Sequence, residues 1–176
     1  MTGTHHSRLI QVNKDVVAPV EPRLVSVRRR QIGDFRGTPP VYLEVAEHYS
    51  RKLLNGPPLC DELLALIQHM FTEEEASVVR HMKSMKPRSA KALARLEHRP
   101  VEEVTTILER LDDEKNVLLS FRAKKHELYS ILPIAPGTFE MVLMRTSEDT
   151  MTPWHRRFAQ LFEDLYGTGR AADNQG

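Results

Sequence analysis

The chain has 176 residues, of which 40% are hydrophobic and 28% charged, enough for one packed domain with appendages and little more. A formal net charge of +1 gives no overall pull toward nucleic acid or an anionic membrane. A single cysteine, Cys60, excludes an internal disulfide framework, and no apolar run approaches the roughly 20 residues of a membrane span.

Residues 1–37 carry seven Arg and Lys against three Asp and Glu, a surplus of four that leaves the remainder at −3. The segment holds two β-branched pieces, Leu9-Ile10-Gln11-Val12 and Leu24-Val25-Ser26-Val27, interrupted by Pro19 and Pro22. Nothing there supplies a buried face, so a basic, flexible arm is expected rather than an edge strand. Polar residues break every apolar stretch, so no signal-peptide core is expected and the location is read as cytoplasmic.

Thr38-Pro39-Pro40 opens a helix in residues 38–57, because proline suits a first turn. Its apolar positions Val41, Val45 and His48/Tyr49 continue to Leu53, and Asn55-Gly56-Pro57-Pro58 stops it. A helix from Cys60 to Met70 follows, with Leu63, Leu64, Ile67 and Met70 on one stripe. Thr72-Glu73-Glu74-Glu75 has the form of a capping box, and Ala76, Val79 and Met82 continue a buried face up to Pro87.

Ser89 caps a short helix, Ala90 to Leu96, with Ala92, Leu93 and Leu96 inward. After the turn Glu97-His98-Arg99-Pro100 comes a longer helix with Val101, Val104, Leu108 and Leu111 on one face. Val117 to Phe121 and Leu128 to Leu132 read as an antiparallel hairpin with a basic tip from Arg122 to Glu127. Thr138 caps a helix through Phe139, Val142 and Leu143. Thr152-Pro153 caps a last one, in which Trp154, Phe158, Leu161, Phe162 and Leu165 form an apolar face. Gly167 ends it, and residues 168–176 are expected to fray.

Helix, short helix, turn, longer helix and hairpin is the winged-helix order. The expected fold is therefore mainly α with a small β-hairpin: a winged helix-turn-helix over residues 58–137, with an N-terminal helix at 38–57 and C-terminal helices at 138–167. An unclassified helical bundle carrying a hairpin is the alternative.

The third helix of such a motif ordinarily enters the DNA major groove. Here it carries Glu102, Glu103, Glu109, Asp112, Asp113 and Glu114, opposed by Arg110 and Lys115. Because DNA binding draws on cations that displace counterions from phosphate, this face suits water or a basic protein partner better than DNA. Two basic features argue the other way. Lys83, Lys86, Arg88, Lys91 and Arg95 crowd the corner before the short helix, and Arg122, Lys124, Lys125 and His126 lie at the hairpin tip. Arg28-Arg29-Arg30 adds a third basic cluster.

No His-x3-His or Cys-x2-Cys spacing exists, glycine-rich phosphate loops are absent, and neither Ser77 nor Ser89 has a recognisable base beside it. Cys60 reads as a buried, inert thiol, although a helix start can favour thiolate. No catalytic residue, metal or cofactor is expected in this chain. Trp154, Phe158, Phe162 and Tyr166 recur at i, i+4, i+8 and i+12, which fits core packing or a partner or dimer face.

The stretch Phe71-Thr72-Glu73-Glu74-Glu75-Ala76 resembles the opening of the first winged-helix helix in the N-terminal region of prokaryotic 4Fe-4S ferredoxin-domain proteins. Three later stretches are similar as well: Leu108-Glu109-Arg110-Leu111 before the hairpin, Leu132-Pro133-Ile134-Ala135-Pro136-Gly137-Thr138-Phe139-Glu140 after it, and Leu161-Phe162-Glu163-Asp164-Leu165-Tyr166 in the terminal helix. The likeness covers roughly residues 40 to 167, and Pro-Gly-Thr-Phe-Glu is its most specific part. In that family a cysteine-rich cluster domain follows; no such cysteines occur here, so no cluster ligand carries over. The resemblance implies a redox context, with the chain a fragment of a longer protein or a stand-alone relative.

Two functional readings remain open. One is a non-catalytic interaction module associated with an iron–sulfur redox protein or complex, docking or dimerising through the acidic helix and the Trp154–Tyr166 helix. The other is a winged-helix transcriptional regulator, contacting DNA through the basic corner and the hairpin tip. A third and smaller possibility is an adaptor whose basic arm folds on an acidic partner.

Overall fold

A computed structural model describes residues 9–13, 16–20, 34–51, 56–84, 86–123, 126–144, 146–147 and 149–167. The architecture is mainly helical, with two separate two-stranded antiparallel ribbons. The first ribbon joins β1 (Leu9–Asn13) to β2 (Val16–Val20) in the register Leu9↔Val20 to Asn13↔Val16. This departs from the expected unstructured arm. β-branched residues on both strands favour the pleat, and a two-stranded ribbon always has an outer edge where Pro19 can sit without a missing N–H. Leu24–Val27 and Arg28–Arg30 lie outside the described residues.

Helix α1 (Pro40–Tyr49) starts on its proline as expected but stops four residues short of Leu53. The Ser50 N–H donates to the Ala46 carbonyl at 2.9 Å, and the returning Gly56 N–H donates to the Arg51 carbonyl at 3.0 Å. A Cβ on Gly56 would collide with the Tyr49 carbonyl oxygen, so the chain folds back on the helix end where only glycine fits. Helix α2 (Asp61–Met70) is the central element. Leu63, Leu66, Ile67 and Met70 are fully buried, and Leu64 joins Phe35 and Leu43 in a small satellite cluster.

Helix α3 (Glu73–Val79) begins on the anticipated capping box: Glu75 N–H donates to Thr72 Oγ1 at 3.2 Å, and Thr72 N–H to Glu75 Oε2 at 2.7 Å. Beyond it a tight turn closes with Lys86 N–H on the Lys83 carbonyl at 3.1 Å. Arg88 then pairs with Tyr129, each N–H on the other's carbonyl at 2.9 Å. This one-residue third strand is too short to show any sequence period.

Helix α4 (Ala90–Glu97) is capped by Ser89, whose Oγ accepts from Ala92 N–H at 3.3 Å, and α5 (Val101–Glu109) follows after Pro100. Two inward assignments change here. Leu96 and Val101 are 41% and 37% exposed, while Ala94 and Ile107 are buried in their place. Both flank the corner that closes on a left-handed His98 (φ 55°); Leu96 lies about 200° around α4 from the buried Ala94, and Val101 stands at the exposed first position of α5. Ala92 is only partly buried.

The hairpin is tighter than expected. β3 (Leu119–Ala123) pairs with β4 (His126–Ser130), with Leu119↔Ser130 at one end and Ala123↔His126 at the other. The connection is thus two residues, the length whose twist best matches paired strands, and Arg122 and His126 belong to strands rather than to a tip. Val117 and Leu118 serve the core ahead of the strand.

Helix α6 (Phe139–Met144) is capped from Glu140, whose carboxylate accepts the Gly137 N–H. Thr138, the expected cap, is buried and donates its hydroxyl to the Leu132 carbonyl at 3.3 Å. Helix α7 (Pro153–Gly167) closes the fold along α2. One continuous cluster runs from Val45 of α1 through α2–α5 and the hairpin to Phe158, Leu161 and Leu165 of α7. The flanking helices therefore complete the same core as the middle.

Because Gly56 approaches backbone rather than a movable side chain, Gly56→Ala is expected to cost about 2 kcal/mol or more, read as a lowered urea midpoint with unchanged slope.

Candidate functional site

The geometry of the acidic helix begins with Glu75. Its side chain is 1% exposed and accepts Lys115 Nζ–H at 2.6 Å, Arg110 Nε–H at 2.9 Å and the Thr72 N–H at 2.7 Å. Burial opposes its charge, but the hydrogen bonds from Lys115 and Thr72 and the nearby Arg110 outweigh it and hold the carboxyl below its ordinary value. Local helix geometry makes this possible. At 100° per residue, Arg110 and Lys115 would point about 140° apart. The last turn of α5 instead widens into a π turn over Arg110–Glu114, with Lys115 N–H on the Arg110 carbonyl at 3.3 Å, and both cations reach one carboxylate.

Both opposing cations of that helix are therefore engaged by Glu75, and Arg110, still about a third exposed, also reaches Glu74 at 3.8 Å. A third, Arg99, lies between Glu74 (2.7 Å) and Glu103 (3.1 Å). These paired charges line an open groove of about 450 Å³ with Thr106, Ile107 and Arg110. Glu102, Glu109, Asp113 and Glu114 are exposed, and none enters an ion pair among the described residues. Asp112 is half-buried. Together with Glu127 and Glu109 it surrounds the Tyr129 phenol, which burial first and these charges second hold above its ordinary value. Thr105 and Thr106 donate their hydroxyls to the Val101 and Glu102 carbonyls of their own helix. The outer side of α5 thus presents carboxylates and hardly any free donor.

The basic residues gather elsewhere. Lys83, Lys86, Lys91 and Arg95 are exposed and Arg88 is partly buried. The backbone of Arg122 stands opposite Glu127 in the ribbon, whereas Lys124 and Lys125 lie outside the described residues.

The aromatic set divides. Phe158 is 1% exposed, so it leaves the candidate partner face and belongs to the core. Trp154 is partly buried and tied to α2: its Nε1–H donates to the His69 carbonyl at 3.3 Å, His69 Nε2–H donates to the Trp154 carbonyl at 2.9 Å, and the rings stack at 5.0 Å. Phe162 stacks between Phe139 (3.8 Å) and Tyr166 (4.3 Å), and these three rings, like Trp154, are partly buried.

Ser77 donates to the Glu74 carbonyl at 2.7 Å and Ser89 caps α4, so each hydroxyl serves its own helix. Cys60 is buried, and burial pushes its thiol up to about 11, against the pull of the helix start. Among the described residues no group of three or more His, Cys, Asp or Glu is arranged to hold a metal ion, and no helix is long and apolar enough to cross a membrane. Comparison with protein-family models, curated proteins and solved structures finds no match to this chain.

The pocket around Glu75 predicts its own lesion. Glu75→Gln leaves Lys115 without its carboxylate and Arg110 with Glu74 alone, and is expected to cost about 3 kcal/mol in urea unfolding. Acid should act in two stages. Burial, ahead of nearby cations, holds His48 and His69 below the ordinary 6.5 while each donates Nε2–H to a carbonyl. The unfolded chain therefore takes up protons first, and stability starts to fall below about pH 6.5. Glu75 and Glu97, both held below 4.5, add a second loss as pH falls through their native values. Urea midpoints from about pH 7.5 to about pH 2.5 should show both stages, the first reduced in His48→Gln. A flat profile down to about pH 5.5 would contradict this assignment.

Proposed function

We propose that residues 58–137 form a winged helix-turn-helix and that the chain is a non-catalytic interaction module, docking a basic protein surface against the outer face of α5. The order α3, α4, α5, β3, β4 supports the motif, and Arg88 against Tyr129 adds the short third strand of a wing sheet. The observation that carries the functional reading is the inward engagement of Arg110 and Lys115 by Glu75, which leaves Glu102, Glu109 and Asp113 facing solvent.

A helix so charged meets phosphate with like charge. Its threonine hydroxyls and Arg99 are already engaged, so base reading by α5 in a transcriptional regulator is the weaker account. A basic protein surface suits it, since complementary charge raises encounter rate and fixes register. The likeness of Phe71–Ala76 and Leu132–Glu140 to prokaryotic 4Fe-4S ferredoxin-domain proteins supports an iron–sulfur redox protein or complex as the partner's setting, with no cofactor in this chain. The aromatic edge at Phe139, Phe162 and Tyr166 can extend such a contact or pair two copies. Phe158 is unsuited to probing it, since its truncation would cost about 3–5 kcal/mol through the core alone.

The test combines Glu102→Gln, Glu109→Gln and Asp113→Asn in one variant, with a photo-crosslinking residue at position 106. The wild type should give a salt-sensitive crosslink to a basic protein. The variant should keep its unfolding midpoint and bind at least about tenfold more weakly. Undiminished crosslinking in the variant, or crosslinking of position 106 to DNA, would refute the docking face.

A further inference from the structure

The sixteen residues from His81 to Leu96 contain Lys83, Lys86, Arg88, Lys91 and Arg95 and no acidic residue. The fold gathers them into one corner. Ser130 Oγ–H donates to the Lys83 carbonyl at 3.4 Å, which ties the Lys83–Lys86 turn to β4, and Arg88 is paired through its backbone to Tyr129 of the same strand. Helix α4 starts two residues later, at Ala90, with Lys91 and Arg95 a single turn apart on one face. Lys83, Lys86, Lys91 and Arg95 are exposed and enter no ion pair among the described residues. Arg80, Arg99, Arg110 and Lys115, by contrast, are each held by a carboxylate.

We infer that this corner binds the phosphodiester backbone of double-stranded nucleic acid without reading its sequence, while α5 stays out of the groove. The form of the surface selects the ligand. Four long, solvated cations spread over a turn and a helix enclose no single anion, and the groove of about 450 Å³ is lined instead by Glu74, Glu103 and their arginines. A duplex offers one negative charge per about 1.7 Å of axis, so a spread cationic surface can meet several phosphates at once. His81 to Leu96 includes no Phe, Tyr or Trp, so the corner has no platform on which unpaired bases would stack. Leu96 is the one large apolar side chain exposed there among the described residues, too little to seat the corner in a bilayer. The inference does not rest on the α5 docking face, which uses other residues.

The experiment is fluorescence anisotropy with a mixed-sequence duplex of about 20 base pairs, starting near 50 mM salt. Micromolar binding is expected, equal for a scrambled duplex, with log affinity falling against log salt at a slope of about −3 to −4 for four phosphate contacts. Lys83→Ala with Lys86→Ala, and separately Lys91→Ala with Arg95→Ala, should each weaken binding severalfold and lower the slope by about two. Using two pairs keeps the test valid if one variant folds poorly. Glu102→Gln, Glu109→Gln and Asp113→Asn together should leave duplex binding unchanged or tighten it. No binding at low salt would overturn the inference, as would wild-type affinity in both paired variants, sequence-dependent affinity, or stronger competition by single strands or anionic vesicles than by duplex.

Discussion

The buried Glu75 carboxylate is the contact on which the arrangement of this molecule turns. It starts α3 through Thr72 and receives two cations from the widened last turn of α5. A carboxylate out of water is costly unless its partners are good, and several charge-assisted bonds make this one tolerable. The same contact shapes the surface. It engages Arg110 and Lys115 and leaves Glu102, Glu109 and Asp113 without an ion-pair partner among the described residues. An internal clamp and an external charge pattern are thus one feature.

Around that clamp the helices close a single core. α2 lies between α1 and α7, and its lower end is fastened to α7 by the reciprocal His69 and Trp154 bonds. Asn116, in a left-handed conformation (φ 56°), ties the chain after α5 to α6 through the Met141 carbonyl. The middle helices are short, and α1 and α7 supply part of the apolar cover they need. The cover also settles the fate of the aromatic row. Phe158 within it is core, while Trp154, Phe162 and Tyr166 stay partly open.

Charge on the folded molecule is segregated although the total is near zero. The α5 face is acidic, the groove beside it is internally neutralised, and the corner from Lys83 to Arg95 is basic. Net charge sums these away, so it says little about which partner each surface favours. Segregation on rigid elements is what allows two surfaces to be perturbed separately.

Local chemistry was written in the sequence. The capping box at Thr72, the Ser89 cap, the proline start of α1 and the stripe of α2 each depend on residues within one or two turns, and each appears where its pattern stands. The acidic character of α5 and the basic run from Lys83 to Arg95 were equally legible, because charge is read residue by residue. What the tertiary structure decided depends on groups far apart in the chain. Arg110 and Lys115 look like surface cations until Glu75, 35 and 40 residues away, claims them. Arg88 forms a strand only because Tyr129 is opposite, and Leu96 and Val101 fit a helical period yet face water because the core packs on Leu93 and Ala94 of α4 and on Val104, Ile107 and Leu108 of α5. The hairpin ends were misplaced because a period of two locates a strand but not its register, which cross-strand pairing fixes. Periodicity and capping are properties of a segment; burial of a charge, choice of face and strand register are properties of what packs against it.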